Sequence, residues 1–122
     1  MRKITYAFVG GLFFSSWIQP AHAGSDLSGA WRTNRGATFY ITQIGNEVWW
    51  FGEQAPTNPH WSNVGCGTTQ SDTMSVRWVE VPLATGVGDK STGTLLLREV
   101  SPNRLVVLQS GGISPDWSEM TR

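Results

Sequence analysis

The sequence predicts an all-β protein, an eight-stranded antiparallel up-and-down barrel. Beyond residue 23 no segment carries apolar residues at helical spacing, whereas several alternate apolar and polar with a period of two. Gly, Thr, Ser, Val and Trp dominate, and turn signals recur about every ten residues, the spacing of a sandwich or barrel. Eight such segments can be drawn, and eight antiparallel strands close into a small barrel with no free sheet edge.

Residues 1–23 stand apart. A basic start (Met1-Arg2-Lys3), a largely apolar run from Ile4 to Ile18 and a small-x-small ending at Ala21-His22-Ala23 are the three parts of a secretory signal peptide. The apolar run is too short for a membrane anchor. Cleavage after Ala23 leaves residues 24–122 as a single β-barrel domain, expected to be secreted or periplasmic and not inserted in a membrane. A chain of that length has a modest core and no room for a second domain.

The strands are expected at 28–33, 37–44, 47–53, 60–70, 73–82, 92–100, 104–110 and 117–122. Gly45-Asn46 is a two-residue hairpin turn between the second and third. Ser71-Asp72 joins the fourth and fifth tightly, and Ser101-Pro102-Asn103-Arg104 reads as a type I turn with proline in its preferred place. Longer links run from Gln54 to Pro59, Leu83 to Ser91 and Gly111 to Asp116. Successive links lie at opposite ends of an up-and-down barrel, so the tight turns gather at one end and the long loops form a mouth at the other. The Gly45-Asn46 turn also sets a register, with Thr42 opposite Trp49, Ile41 opposite Trp50 and Tyr40 opposite Phe51. Phe39, Ile41, Val48 and Trp50 then share one face, and Tyr40, Thr42, Trp49 and Phe51 share the other.

The stretch LSGAWRTNRGATFYI (Leu27 to Ile41) resembles the opening of avidin-like and lipocalin-like barrels, which begin Gly-x-Trp, here Gly29-Ala30-Trp31. The resemblance implies that Trp31 closes the barrel floor beneath a basic residue from the last strand, which would be Arg122, as a cation on an indole. Biotin-binding avidins carry an Asn and a Ser where this chain has Thr33 and Ala37. Ala37 has no polar side-chain group, so the resemblance implies an avidin-like shape that does not bind biotin. It also turns Ala37, Phe39 and Ile41 inward, which leaves Tyr40, Trp49 and Phe51 as an outer aromatic patch. QIGNEVWW (Gln43 to Trp50), Ser62-Asn63-Val64 and RWVEVP (Arg77 to Pro82) are similar to a group of exported bacterial β-proteins without an assigned activity. Lipocalin-like inhibitors of bacterial metalloproteases share the Leu-x-Gly-x-Trp opening of Leu27 to Trp31. Those inhibitors carry a disulfide that Cys66 alone cannot form, and a free arm for which Gly24-Ser25-Asp26 is short.

Composition narrows the function. Without Arg2 and Lys3 the chain carries a net charge of about −2, which offers nothing to nucleic acid or an anionic membrane. Cys66, the single cysteine, is expected to be a small buried hydrophobe between Gly65 and Gly67, with an intermolecular bridge or a reactive thiol as the functional readings. No metal, cofactor or catalytic residue is assigned: His60 is the only histidine beyond residue 23, and no nucleophile elbow or phosphate loop is present. Gly86-Val87-Gly88 reads as flexible loop. Glu53 and Asp116 both fall near the mouth, but only their separation could make them a glycosidase pair. The mouth inventory is better suited to binding a small amphipathic molecule: Thr33, Arg35, Glu53, His60, Trp61, Lys90, Asp116 and Trp117. The expected function is therefore an exported, non-enzymatic binding protein with a small-molecule ligand at the mouth. The outer patch of Tyr40, Trp49 and Phe51 would serve a homo-oligomer contact or a sugar platform. The alternatives are a protein-binding module such as a periplasmic protease inhibitor, or a carbohydrate-binding barrel.

Overall fold

Eight strands in consecutive order close on themselves in a computed structural model that describes residues 24–83 and 91–122. The expected signal peptide, Lys90 and Gly86-Val87-Gly88 lie outside the described residues. The strands are β1 (Gly29–Thr33), β2 (Thr38–Ile44), β3 (Glu47–Glu53), β4 (Ser62–Gln70), β5 (Thr73–Glu80), β6 (Thr92–Ser101), β7 (Arg104–Gly112) and β8 (Glu119–Thr121). Every neighbouring pair is antiparallel, and β8 returns to β1 through Arg32↔Thr121 and Thr33↔Met120. Closure removes the unpaired backbone that an open sheet would present at its edges.

Local chemistry sets the element ends. The β2–β3 turn places Gly45 at a positive φ of 62°, where a primed hairpin turn needs a residue without a Cβ. The register beyond that turn is the one its length dictates, from Ile44↔Glu47 through Ile41↔Trp50 to Thr38↔Glu53. β5 stops at Glu80, short of the expected 82, because Pro82 has no N–H to give to a ladder. β4 begins at Ser62 and not at residue 60, since the Trp61 carbonyl accepts from the Gln54 N–H across the loop and its ring packs on the core. β8 is reduced to three residues, because Trp117 turns inward ahead of it. β6 and β7 slip register between Leu96 and Leu97 and between Glu99 and Ser101, local bulges that bend the wall.

The core fills the barrel from the tight-turn end upward. Trp31, Leu97, Leu105, Met120, Met74, Val48 and Val76 are all buried there. The Trp31 indole N–H donates to the Leu27 carbonyl at 2.8 Å, and the Arg122 guanidinium lies 4.5 Å from the ring centroid. Arg122 also donates to the carbonyls of Ser28 and Pro102. One arginine thus ties the entry to β1, the β6–β7 turn and the indole together. The segment before β1 is drawn across this floor: Ser25 donates to the Glu99 carboxylate, and buried Leu27 donates its N–H to Gln43 Oε1. Asp26 accepts from the Ser28 N–H, and that bond, with the Ser28 hydroxyl and nearby Arg122, holds its carboxyl below the usual aspartate value.

Cys66 corrects the expectation of a buried thiol: it is exposed. It pairs with Trp49 on one side and Arg77 on the other, both outward, and the alternation of the strand leaves it no other face.

Candidate functional site

Among the described residues, the mouth end is formed by the Asn34–Ala37 turn, by links 54–61 and 113–118, and by residues 81–83 and 91. Beneath them lies a cavity of about 420 Å³, within the range of small-molecule sites. Its formation can be followed around the barrel wall. The inward positions at this level run Ile41, Trp50, Gly65, Trp78 and Gly93 on five successive strands, each opposite the next. A Cβ at Gly65 would sit 2.6 Å from the Trp50 indole nitrogen, and one at Gly93 would sit 2.9 Å from the Trp78 ring. One level higher, a Cβ at Gly52 would meet the Phe39 ring at 2.3 Å. Each large ring therefore rests against the backbone of a glycine on the adjoining strand. Phe39, Trp50 and Trp117 are buried in this packing, and the cavity opens above them, where Trp61 and Trp78 are only partly buried.

Phe39 is the middle of this packing. Its ring centroid lies 4.9 Å from Trp50 in an edge-on arrangement, 5.2 Å from Trp117 and 6.1 Å from Trp61. Such aromatic contacts add to the burial of the rings and hold their orientation. Polar groups are placed at the top of the wall. The Trp50 indole N–H donates to Asn63 Oδ1 at 2.9 Å, and Asn63 stands opposite Glu80 in the β4–β5 ladder. The Ser62 hydroxyl is committed to the Val81 carbonyl. His60 and Asp116 are exposed at the rim, and Ser91 and Ser114 complete it.

Four of the residues expected at the mouth line this cavity: His60, Trp61, Asp116 and Trp117. The other three described ones are placed elsewhere. Thr33 is buried, with its Oγ1 accepting from the N–H groups of Arg35 and Ala37, so it staples the β1–β2 turn. Arg35 is exposed on that turn and does not line the cavity. Glu53 follows Gly52, so the pleat turns it to the face of Phe51 and away from the hollow. Glu53 and Asp116 are thus not brought together around the cavity. Among the described residues no group of three or more His, Cys, Asp or Glu could hold a metal ion.

Sequence reasoning missed Asn63, Trp78, Glu80 and Ser91 as lining residues. The available signal was the run of inward glycines. Once the register of β2 to β6 is known, Gly52, Gly65 and Gly93 fall beside large rings, which lets those rings lie against the wall.

A second surface faces outward. Tyr40, Trp49 and Phe51 are 45%, 51% and 41% exposed, and the Tyr40 and Phe51 rings stack at 6.4 Å. Val64 and Val79 extend the apolar area onto β4 and β5, with Cys66 and Arg77 beside them.

The closed eight-stranded barrel is compatible with a calycin-like fold, and the floor pairs Trp31 with Arg122. No family model, curated protein or solved structure matches the chain, so nothing in those comparisons ties it to the avidins, the lipocalins or the QIGNxxWW proteins.

Proposed function

We propose that this chain is an exported, non-enzymatic binding protein that takes one small organic molecule into the aromatic cup at the barrel mouth. The observation that carries the reading is a cavity of about 420 Å³ bordered by the partly buried Trp61 and Trp78 over a floor of Phe39, Trp50 and Trp117, with polar groups confined to the top of the wall. Rings held over glycines give a preformed apolar wall, so little ordering is needed when a ligand enters. Residues 1–23 support export.

A thermal-shift screen of small aromatic and amphipathic compounds tests it. A ligand at about a hundred times its Kd adds about 2.7 kcal/mol to stability. For a domain of this size that raises Tm by roughly 10 °C or more. Trp61 is only half buried, so Trp61→Ala should fold and lose most of that shift. A broad panel without a hit, or a shift that survives in Trp61→Ala, would refute the cup as the site.

The outer face supports a second proposal, self-association of two copies through β2 to β5. Tyr40, Trp49, Phe51, Val64 and Val79 form a contiguous exposed apolar area with Arg77 beside it and with Glu47 and Glu53 on the same face of β3. Patches of this kind on a soluble chain mark interaction sites. Sedimentation should then report a dimer at micromolar concentration that Trp49→Ser converts to a monomer. A monomer unchanged by the substitution would refute it.

A further inference from the structure

Among the described residues the cup has a one-sided charge pattern. Glu80 and Asp116 both line it, and no Lys or Arg does. Glu80 is half buried, one residue along the inward row from Trp78 and directly opposite Asn63. Neither carboxylate has an ion-pair partner among the described residues; the described salt bridges lie elsewhere, between Arg98 and Asp72 and between Arg104 and Glu119. Two of the hydrogen-bond donors in the same place are already engaged. The Trp50 N–H is spent on Asn63, and the Ser62 hydroxyl on Val81. An anionic ligand would therefore meet two carboxylates and, among the described lining residues, no Lys or Arg to offset them.

A cation meets the opposite. Indole and phenyl rings carry a negative quadrupole on their faces, and a positive centre within a cluster of such faces is attracted to several at once. A carboxylate at the top of the wall adds a full negative charge in a partly dehydrated setting, where it is screened less than on an open surface. We infer that the cup selects an organic cation, an amine or quaternary ammonium group on an apolar body, with the apolar part against Trp61 and Trp78 and the charge beneath Glu80 and Asp116. This rests on the cup being the binding site, as proposed above. His60, exposed at the rim, is the other titratable group that faces the cup among the described residues.

Three probes of similar size and different charge decide it: benzyltrimethylammonium, benzyl alcohol and phenylacetate, each titrated against the full barrel with tryptophan fluorescence and calorimetry as readouts. The cation should bind about tenfold or more tighter than the neutral alcohol, the range expected for a charge held by aromatic faces, and phenylacetate should bind most weakly. In the Glu80→Gln and Asp116→Asn double variant, which keeps the shape and removes both charges, the cation should lose most of its advantage over benzyl alcohol. If benzyl alcohol or phenylacetate binds as tightly as the cation, the charge preference is wrong and the cup remains a binding site. A preference that persists undiminished in the double variant also overturns the role given to the two carboxylates. If none of the three changes the fluorescence or heat at millimolar concentration, both the cation inference and the cup reading fall.

Discussion

Replacing Trp31 with alanine should cost about 3–5 kcal/mol of stability, the range for removing a fully buried large aromatic. Against the 5–15 kcal/mol typical of a whole domain, that is a large share. Trp31 has no exposed surface, and three separate interactions converge on it. Its ring fills the floor, its N–H satisfies the buried Leu27 carbonyl, and Arg122 lies over its face. Alanine would leave a cavity, an unsatisfied carbonyl and an arginine with no surface to stack on. Urea denaturation separates the parts. Trp31→Phe keeps a ring under Arg122 and loses the hydrogen bond, so it should cost about 1–3 kcal/mol. Arg122→Ala removes the stacked cation and should cost less than about 2 kcal/mol. A loss below about 1 kcal/mol for Trp31→Ala would show that the floor is not what closes this barrel.

Gly67→Ala should be as damaging, by a different route. A Cβ at Gly67 would lie 1.8 Å from the Ser75 carbonyl oxygen and 2.8 Å from the Val76 Cα. Both are backbone atoms of the paired strand, so no rotamer change relieves the contact and β4 must move away from β5. Overpacking that side chains can absorb costs about 1–3 kcal/mol, and forcing strands apart belongs at or above the top of that range. Gly52→Ala makes the useful contrast, because its clash is with the Phe39 ring, a side chain that can tilt into the cup. It should lower Tm less than Gly67→Ala does, and it should narrow the cavity enough to weaken any ligand found in the screen. The midpoint of thermal unfolding checks both. Gly67→Ala with an unchanged midpoint would mean that β4 and β5 are not paired as described.

The parts of this protein that follow from period and turn chemistry were legible along the chain. Alternation with a period of two and the Gly45-Asn46 turn together dictate the β2–β3 register, and with it which of Tyr40, Ile41, Trp49, Trp50 and Phe51 turns inward. A two-residue hairpin leaves no freedom in that pairing, and a one-residue slip would put every large apolar group on the wrong face. Eight strands with hairpin connections likewise have few arrangements other than a closed barrel.

The site was legible only in part, because a cavity is a relation between strands and not a property of one. His60, Trp61, Asp116 and Trp117 lie in or beside the long links, so naming the loop-rich end was enough to find them. Thr33 and Glu53 sit at the same end but are turned elsewhere, one by the hydrogen bonds of a tight turn and one by the pleat. Cys66 went the same way: two glycine neighbours suggested a buried thiol, while its cross-strand partners Trp49 and Arg77 put it outside. Glu80 and Asn63 became wall residues through the pairing of β4 with β5. Local sequence thus carried the strands, the turns and the inward faces of β2 and β3, since these depend on bonds a few residues long. How the large rings pack beneath the mouth depended on Gly52, Gly65 and Gly93 meeting Phe39, Trp50 and Trp78 across the ladder, and that meeting exists only once the strands have paired.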